Sequence, residues 1–151
     1  MGTFHPAGML LVHGTTVDIQ GNGVLVRGPS GSGKSDLALR LIDSGATLVA
    51  DDQTELFREG GSLSARAPAT LAGLIEVRGV GIVRLPHRAS APVALVVDLV
   101  PADAVERLPM PANVRCLGVD VPLLRIAAFE VSTVAKVRLA ALSSTRDIIR
   151  P

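Results

Sequence analysis

Short apolar runs punctuated by glycine dominate the first half of the chain. Met9-Leu10-Leu11-Val12 and Thr16-Val17-Asp18-Ile19 are separated by His13-Gly14, and Gly21-Asn22-Gly23 then supplies residues tolerant of positive φ, a pattern that predicts two strands and a hairpin. Val24-Leu25-Val26 is rich in β-branched residues and runs into a glycine loop. From Asp36 to Ser44 the apolar positions Leu37, Leu41 and Ile42 fall at helical spacing, and Gly45 stands where a left-handed C-terminal cap is expected. Thr47-Leu48-Val49-Ala50 reads as a buried strand ending in Asp51-Asp52. Glu55 to Arg58, then Gly60-Gly61, then Leu63 to Arg66 predict a surface hairpin, and two further strands are expected around Glu76 to Ile82.

Val93 to Leu99 is a near-continuous apolar run of strand length, as a strand covered on both faces requires. Prolines at 101, 109, 111 and 122 break up the last third. Ser132 to Leu142 then predicts a closing amphipathic helix with Val134, Val137, Leu139 and Leu142 apolar. Many short strands with few helices point to an α/β fold with a mixed sheet, not a regular βαβ series.

Composition narrows the classes of partner. The chain of 151 residues is 48% hydrophobic and 19% charged, which suits one compact domain over residues 1–151. A net charge of +1 and the absence of Trp and Tyr offer neither a basic field nor a stacking platform for nucleic acid. Pro92 to Val100, the most apolar stretch, contains Asp98 and is too short to span a bilayer. A lone Cys116 and no leader pattern point to a reducing cytoplasm.

The chemistry is concentrated in Gly28-Pro29-Ser30-Gly31-Ser32-Gly33-Lys34-Ser35, which matches the phosphate-binding pattern G-x-x-x-x-G-K-[ST] between a predicted strand and a predicted helix. Closely spaced backbone N–H groups and the helix's positive end suit phosphate oxygens. Lys34 then reaches the β- and γ-phosphates of a nucleotide and the Ser35 hydroxyl ligates Mg²⁺. Asp51-Asp52 follows the next strand and can present a carboxylate base beside the γ-phosphate, or stand as a solvated strand end. Because adjacent strand residues face opposite ways, the two carboxylates cannot share one role. Glu76 and Arg78 share a strand face and read either as a metal- and phosphate-holding pair or as an exposed salt bridge. His13, a single His at a strand end, reads as structural more readily than as functional, and His5 and His87 give no metal-ligand spacing with it.

Taken in order, His13-Gly14, Gly28 to Ser35, Leu48 to Asp52 and Glu76 to Ile82 resemble the catalytic C-terminal domain of HPr kinase/phosphorylase, in a short form without that family's N-terminal domain. The similarity covers about Gly8 to Leu99 well and the rest loosely. The resemblance implies a Mg-ATP-dependent serine kinase acting on HPr, a phosphocarrier protein of the phosphotransferase system, with phosphorolysis as the reverse reaction. It implies Asp52 as base in the kinase direction and acid in reverse, Lys34 on the phosphates, His13 as an active-site residue, and Ser35 and Glu76 as magnesium-binding positions. Ile75 to Arg84 matches the family signature. The family's Gly-Arg-Asn loop is missing from Val121 to Ile126, where Arg125 is its candidate replacement. The resemblance also implies a homo-oligomer, a hexamer. Two other readings of the phosphate loop are a kinase of a small hydroxylated metabolite and a nucleotide-sensing module without catalysis.

Overall fold

The computed structural model describes residues 2–5, 8–143 and 148–149, with side chains from Gly8 onward. Its strands, in chain order, are β1 (Gly2–His5), β2 (Met9–Ile19), β3 (Asn22–Arg27), β4 (Thr47–Ala50), β5 (Gln53–Glu59), β6 (Ser62–Arg66), β7 (Leu74–Val77), β8 (Gly81–Arg84), β9 (Ala91–Leu99), β10 (Asn113–Cys116) and β11 (Val119–Ile126). Two α-helices, α1 (Lys34–Asp43) and α2 (Thr133–Ala141), and two short 3-10 helices, Ala69–Leu71 and Ala102–Ala104, complete the described elements.

The two expected N-terminal strands are one continuous strand, β2. Its first part, Met9 to His13, pairs with β5, and its second part, Gly14 to Ile19, pairs with β3. The passage from one partner to the other falls at Gly14. A Cβ there would lie 2.9 Å from both Leu25 Cδ1 and the Val26 carbonyl oxygen, so only glycine admits the close approach of β3. The turn into β3 uses positive φ at Gln20 and Gly21, one residue earlier than the glycine pattern suggests, and Asn22 and Gly23 already belong to β3.

Strand pairing closes on itself: β2 pairs with β5, β5 with β6, β6 with β9, β9 with β3, and β3 with β2. Val12, Leu25, Leu56, Leu63, Ala65 and Val96, drawn from every strand of this ring, fill its interior together with Val121 and Cys116. The β5–β6 hairpin is therefore a structural wall, not the surface ornament its sequence suggests. Nearby, Thr54 Oγ1 donates to the Gly14 carbonyl and shares a 3.0 Å hydrogen bond with Thr16 Oγ1, so these buried hydroxyls are satisfied.

The alternate residues of the same strands face outward into a second core. Val24, Val26, Val97 and Leu99 pack there under Leu37, Ala38 and Leu41 of α1 and Val137 and Ala141 of α2. This explains the unbroken apolar run in β9, which has side chains to bury on both faces. Each fully buried Leu or Val in these cores is worth about 1.5–3 kcal/mol.

Three strands run parallel: β3 beside β9, and β9 beside β11. With the antiparallel remainder they make the mixed α/β sheet that the strand spacing predicts. β10 and β11 lie in the proline-punctuated segment where no strand is expected. Pro122 is tolerated because it occupies an exposed position of β11 opposite Asn113. Gly45 takes φ of 116° and donates to Ile42 O, ending α1 as expected. In α2 the buried positions are Thr133, Val137 and Ala141, whereas Leu139 is 49% exposed, so the core-facing stripe lies to one side of the expected one. No helix among the described residues is long and apolar enough to cross a membrane.

Candidate active site

The loop after β3 carries the first part of the site. Gly31 and Gly33 adopt positive φ, and Gly33 is the N-cap of α1. A Cβ on Gly33 would sit 2.6 Å from Phe129 Cζ and 3.1 Å from Ala128 Cβ, so both conformation and space demand glycine here. Lys34 Nζ donates to Gly28 O at 2.8 Å and Pro29 O at 3.0 Å. Its ammonium is thus held against the loop at the N-terminus of α1, the kind of helix end that suits an anion.

The second part comes from the end of β4. Asp51 is 7% exposed, and each of its oxygens is engaged. Oδ1 accepts from Ser35 Oγ at 2.6 Å and from Thr15 Oγ1 at 3.0 Å, and Oδ2 accepts from the Glu76 N–H at 3.0 Å. One buried carboxylate therefore ties the start of α1, strand β2 and strand β7 together. Asp52 turns the other way and is exposed to the cleft. The two do face apart, but strand pleating is not the cause. β4 ends at Ala50, and Asp52 takes the left-handed conformation, with φ of 67°. Its backbone is held there by Thr15 Oγ1, which accepts from Asp52 N–H at 3.2 Å, and by Gly14 N–H, which donates to Asp52 O at 3.0 Å.

The third part is the two-stranded ribbon of β7 and β8. Glu76, Arg78 and the turn from Gly79 to Ile82 line one wall of an open cleft of about 1000 Å³, with His13, Lys34, Ser35, Asp52 and Phe129 lining the rest. The cleft therefore brings together His13, the phosphate loop, Lys34, Ser35, Asp52 and Glu76. No bond between Glu76 and Arg78 holds them as a pair. Both are exposed and both face the cleft.

Arg125 stands elsewhere. It is exposed on β11 in register with Asp98 of β9, which is itself in register with Arg27. It shares the alternation of Leu123, on the face of the sheet opposite α1, and does not line the cleft. On the same row Arg27 makes a bidentate pair with Asp98, at 2.8 and 2.9 Å, and this hydrogen bonding raises the Arg27 pKa above its ordinary value against the opposing effect of burial.

Sequence reasoning misses the structural part of Asp51, Thr15 and Phe129. The Asp51-Asp52 doublet is visible in the chain, but which carboxylate turns inward is fixed only by the backbone at 52. Thr15 carries no signal, sitting between Gly14 and Thr16 in a strand. Among the described residues no cluster of three or more His, Cys, Asp or Glu could hold a metal alone. The oxygens of Ser35 and Glu76, both at the cleft, instead suit a hard cation that takes its other ligands from phosphate and water.

A profile of the family described as the HPr Serine kinase C-terminal domain matches residues 6–146. An HPr kinase/phosphorylase from an Exiguobacterium species is 38% identical over 132 residues, covering 80% of this chain and 42% of that protein. The HPr kinase/phosphorylase of Bordetella pertussis is 44% identical over 110 residues, 66% of this chain and 36% of that protein. The chain thus spans less than half the length of these relatives. A solved structure described as the HPr(Ser) kinase/phosphatase from Coxiella burnetii superposes with a TM-score of 0.79 at 26% identity, covering 89% of this chain and 95% of that one.

Proposed function

Because the chain belongs to the HPr serine kinase C-terminal domain family, we propose that it transfers the γ-phosphoryl group of Mg-ATP to a serine hydroxyl of an HPr-type phosphocarrier protein. The observation that carries this reading is the placement of two adjacent carboxylates: Asp51 buried on Ser35, Thr15 and the Glu76 N–H, and Asp52 free on the cleft side of the phosphate loop.

Each residue then has a distinct task. The loop amides and Lys34 hold the phosphates, with Lys34 leaving the carbonyls of Gly28 and Pro29 for phosphate oxygens. Ser35 and Glu76 would hold Mg²⁺. The Ser35 hydroxyl donates a hydrogen bond to Asp51 Oδ1, which leaves its oxygen lone pairs available to a cation. Bound Mg²⁺ supplies charge neutralisation on the phosphate oxygens. Asp52 accepts the proton of the attacking serine as the new O–P bond forms and the bond to the β-phosphate bridging oxygen breaks, with ADP leaving. His13, at the cleft wall, is within the same site and is assigned to orienting the reacting groups. Arg125 enters this scheme only if a second copy of the chain delivers it to the cleft.

The same reading sets the chain in the cytoplasm beside the phosphotransferase system and in a homo-oligomer. Exposed Leu108, Met110 and Val131 offer apolar surface for such an assembly.

The test is incubation of the purified chain with γ-labelled ATP, Mg²⁺ and an HPr-type protein, beside Lys34→Ala and Asp52→Asn. Acid-stable label on the phosphocarrier, absent with both variants, is the expected result. ATP binding with no label on the carrier would reject the protein substrate, and adding inorganic phosphate to labelled product tests the reverse reaction.

A further inference from the structure

Strands β4 and β5 both pair with β2, and only Asp51 and Asp52 separate them. Ala50 lies opposite Thr16 and Gln53 opposite His13, so Asp51 and Asp52 on one line face Thr15 and Gly14 on the other. Two residues against two would allow an unbroken ladder. The backbone does not make one. Gln53 N–H donates to Asp51 O at 2.7 Å across Asp52, whose φ is 67°. This is a γ-turn of the positive-φ kind, a rare and strained form.

A strained turn where ordinary pairing was open to the chain must be held by its surroundings. Two residues of β2 hold this one. Gly14 N–H donates to Asp52 O at 3.0 Å, as a ladder pair would. A regular pair that exchanges both bonds would also take the Asp52 N–H back to Gly14. Here that N–H goes to Thr15 Oγ1 instead, at 3.2 Å. The same hydroxyl donates its one O–H to Asp51 Oδ1, at 3.0 Å.

Thr15 is fully buried, so bulk water cannot stand in for its hydroxyl, and the stiff χ1 of a β-branched residue keeps the oxygen aimed. Its two bonds are not equally replaceable. Asp51 has further donors in Ser35 Oγ and the Glu76 N–H. Among the described residues, Thr15 Oγ1 is the one acceptor of the Asp52 N–H. Loss of the hydroxyl therefore falls on Asp52, the carboxylate that lines the cleft.

We propose that Thr15 is a positioning residue for phosphotransfer: its single hydroxyl holds the γ-turn that aims the Asp52 carboxylate into the cleft. The inference rests on the phosphotransfer reading above and adds to it what assigns two neighbouring carboxylates to different tasks. Thr15 does not line the cleft, so it acts through Asp52 and not on the reactants. Without the hydroxyl the turn loses the bond that sets it apart from a regular ladder. Asp52 then relaxes towards ordinary strand pairing and its carboxylate leaves the line of the attacking hydroxyl, while the phosphate loop and Lys34 keep their hold on the nucleotide.

Single-turnover transfer from γ-labelled Mg-ATP to an HPr-type protein by the full chain tests this, with ATP affinity read in parallel by calorimetry. Thr15→Val, of the same outline without the hydroxyl, is expected to lower the transfer rate by about a hundred-fold and to leave ATP affinity as it was. Thr15→Ser, which restores the oxygen on a side chain with a freer χ1, should recover most of that loss. On an Asp52→Asn background no base remains to be aimed, so adding Thr15→Val should cost little more, the non-additivity of residues that act through one another. Thr15→Ala serves the same comparisons if the valine variant is not recovered folded. An undiminished rate without the hydroxyl, a weakening of ATP binding that accounts for the loss, no recovery with serine, or a full further loss on the Asp52→Asn background would overturn the positioning role. Absence of transfer by an unaltered chain that binds ATP would instead overturn the phosphotransfer reading, and this role with it.

Discussion

Inside the five-strand ring, Val12, Leu25, Leu56, Leu63, Ala65 and Val96 meet one another, and the neighbouring hydroxyls of Thr16 and Thr54 are paired. The helix-covered side of the same strands is just as apolar at its centre, but its rim ends in a glycine loop, two carboxylates and an open cleft. Both sides use alternate residues of β3 and β9. The difference is at the strand ends, where the ring side continues into hairpins and the helix side breaks into loops with unusual backbone. The ring holds the platform, and the rim carries the reactive groups in conformations that only a firm platform sustains.

Substitutions can break this division or sharpen it. The largest effect is expected from Asp52→Asn, with loss of roughly 10²–10⁴-fold in kcat and little change in melting temperature, read by single-turnover phosphotransfer and thermal unfolding. Leu56→Ala in the ring should do the opposite, costing about 2–5 kcal/mol in denaturant unfolding while the remaining folded protein keeps its turnover rate. Gly33→Ala stands between the two. Its positive φ costs about 1 kcal/mol, and displacement of Phe129 should weaken nucleotide binding in calorimetry. Thr54→Val removes a buried hydroxyl that serves both Gly14 and Thr16, and should cost about 1–3 kcal/mol with no change in kcat. Smallest of all is Arg125→Ala. It is exposed and outside the cleft, so within one chain it should change stability by less than about 0.5 kcal/mol. A loss of kcat that grows with protein concentration would show instead that another copy supplies this residue.

The parts of this architecture that are legible in the chain are those fixed locally. The phosphate loop, the helix that follows it and the Gly45 stop each depend on a few adjacent residues, and the structure has them where the spacing requires. The apolar run of β9 is legible for a similar reason, since a strand buried on both faces has no polar alternation to hide it. The β10–β11 pair is not legible, because Pro122 argues against a strand unless its exposed position is known. Nor is the inward turn of Asp51. It depends on a left-handed residue at Asp52, on Thr15 from β2 and on the Glu76 amide from β7, none of which announces itself by spacing.

The way β9 is flanked also has a consequence for synthesis of the protein. This strand stands beside β3 on one side and β11 on the other, and Phe129 reaches the glycine loop only from the segment after β11. A nascent chain that has released the loop, both carboxylates and the β7–β8 ribbon from the ribosome still lacks Phe129 in the lining of the cleft. Contacts between residues about a hundred positions apart form late and slowly. Competence to hold a nucleotide should therefore arise only once the segment through Phe129 has left the ribosome, and shorter nascent chains should carry an unfinished sheet edge at β9 for chaperones to cover.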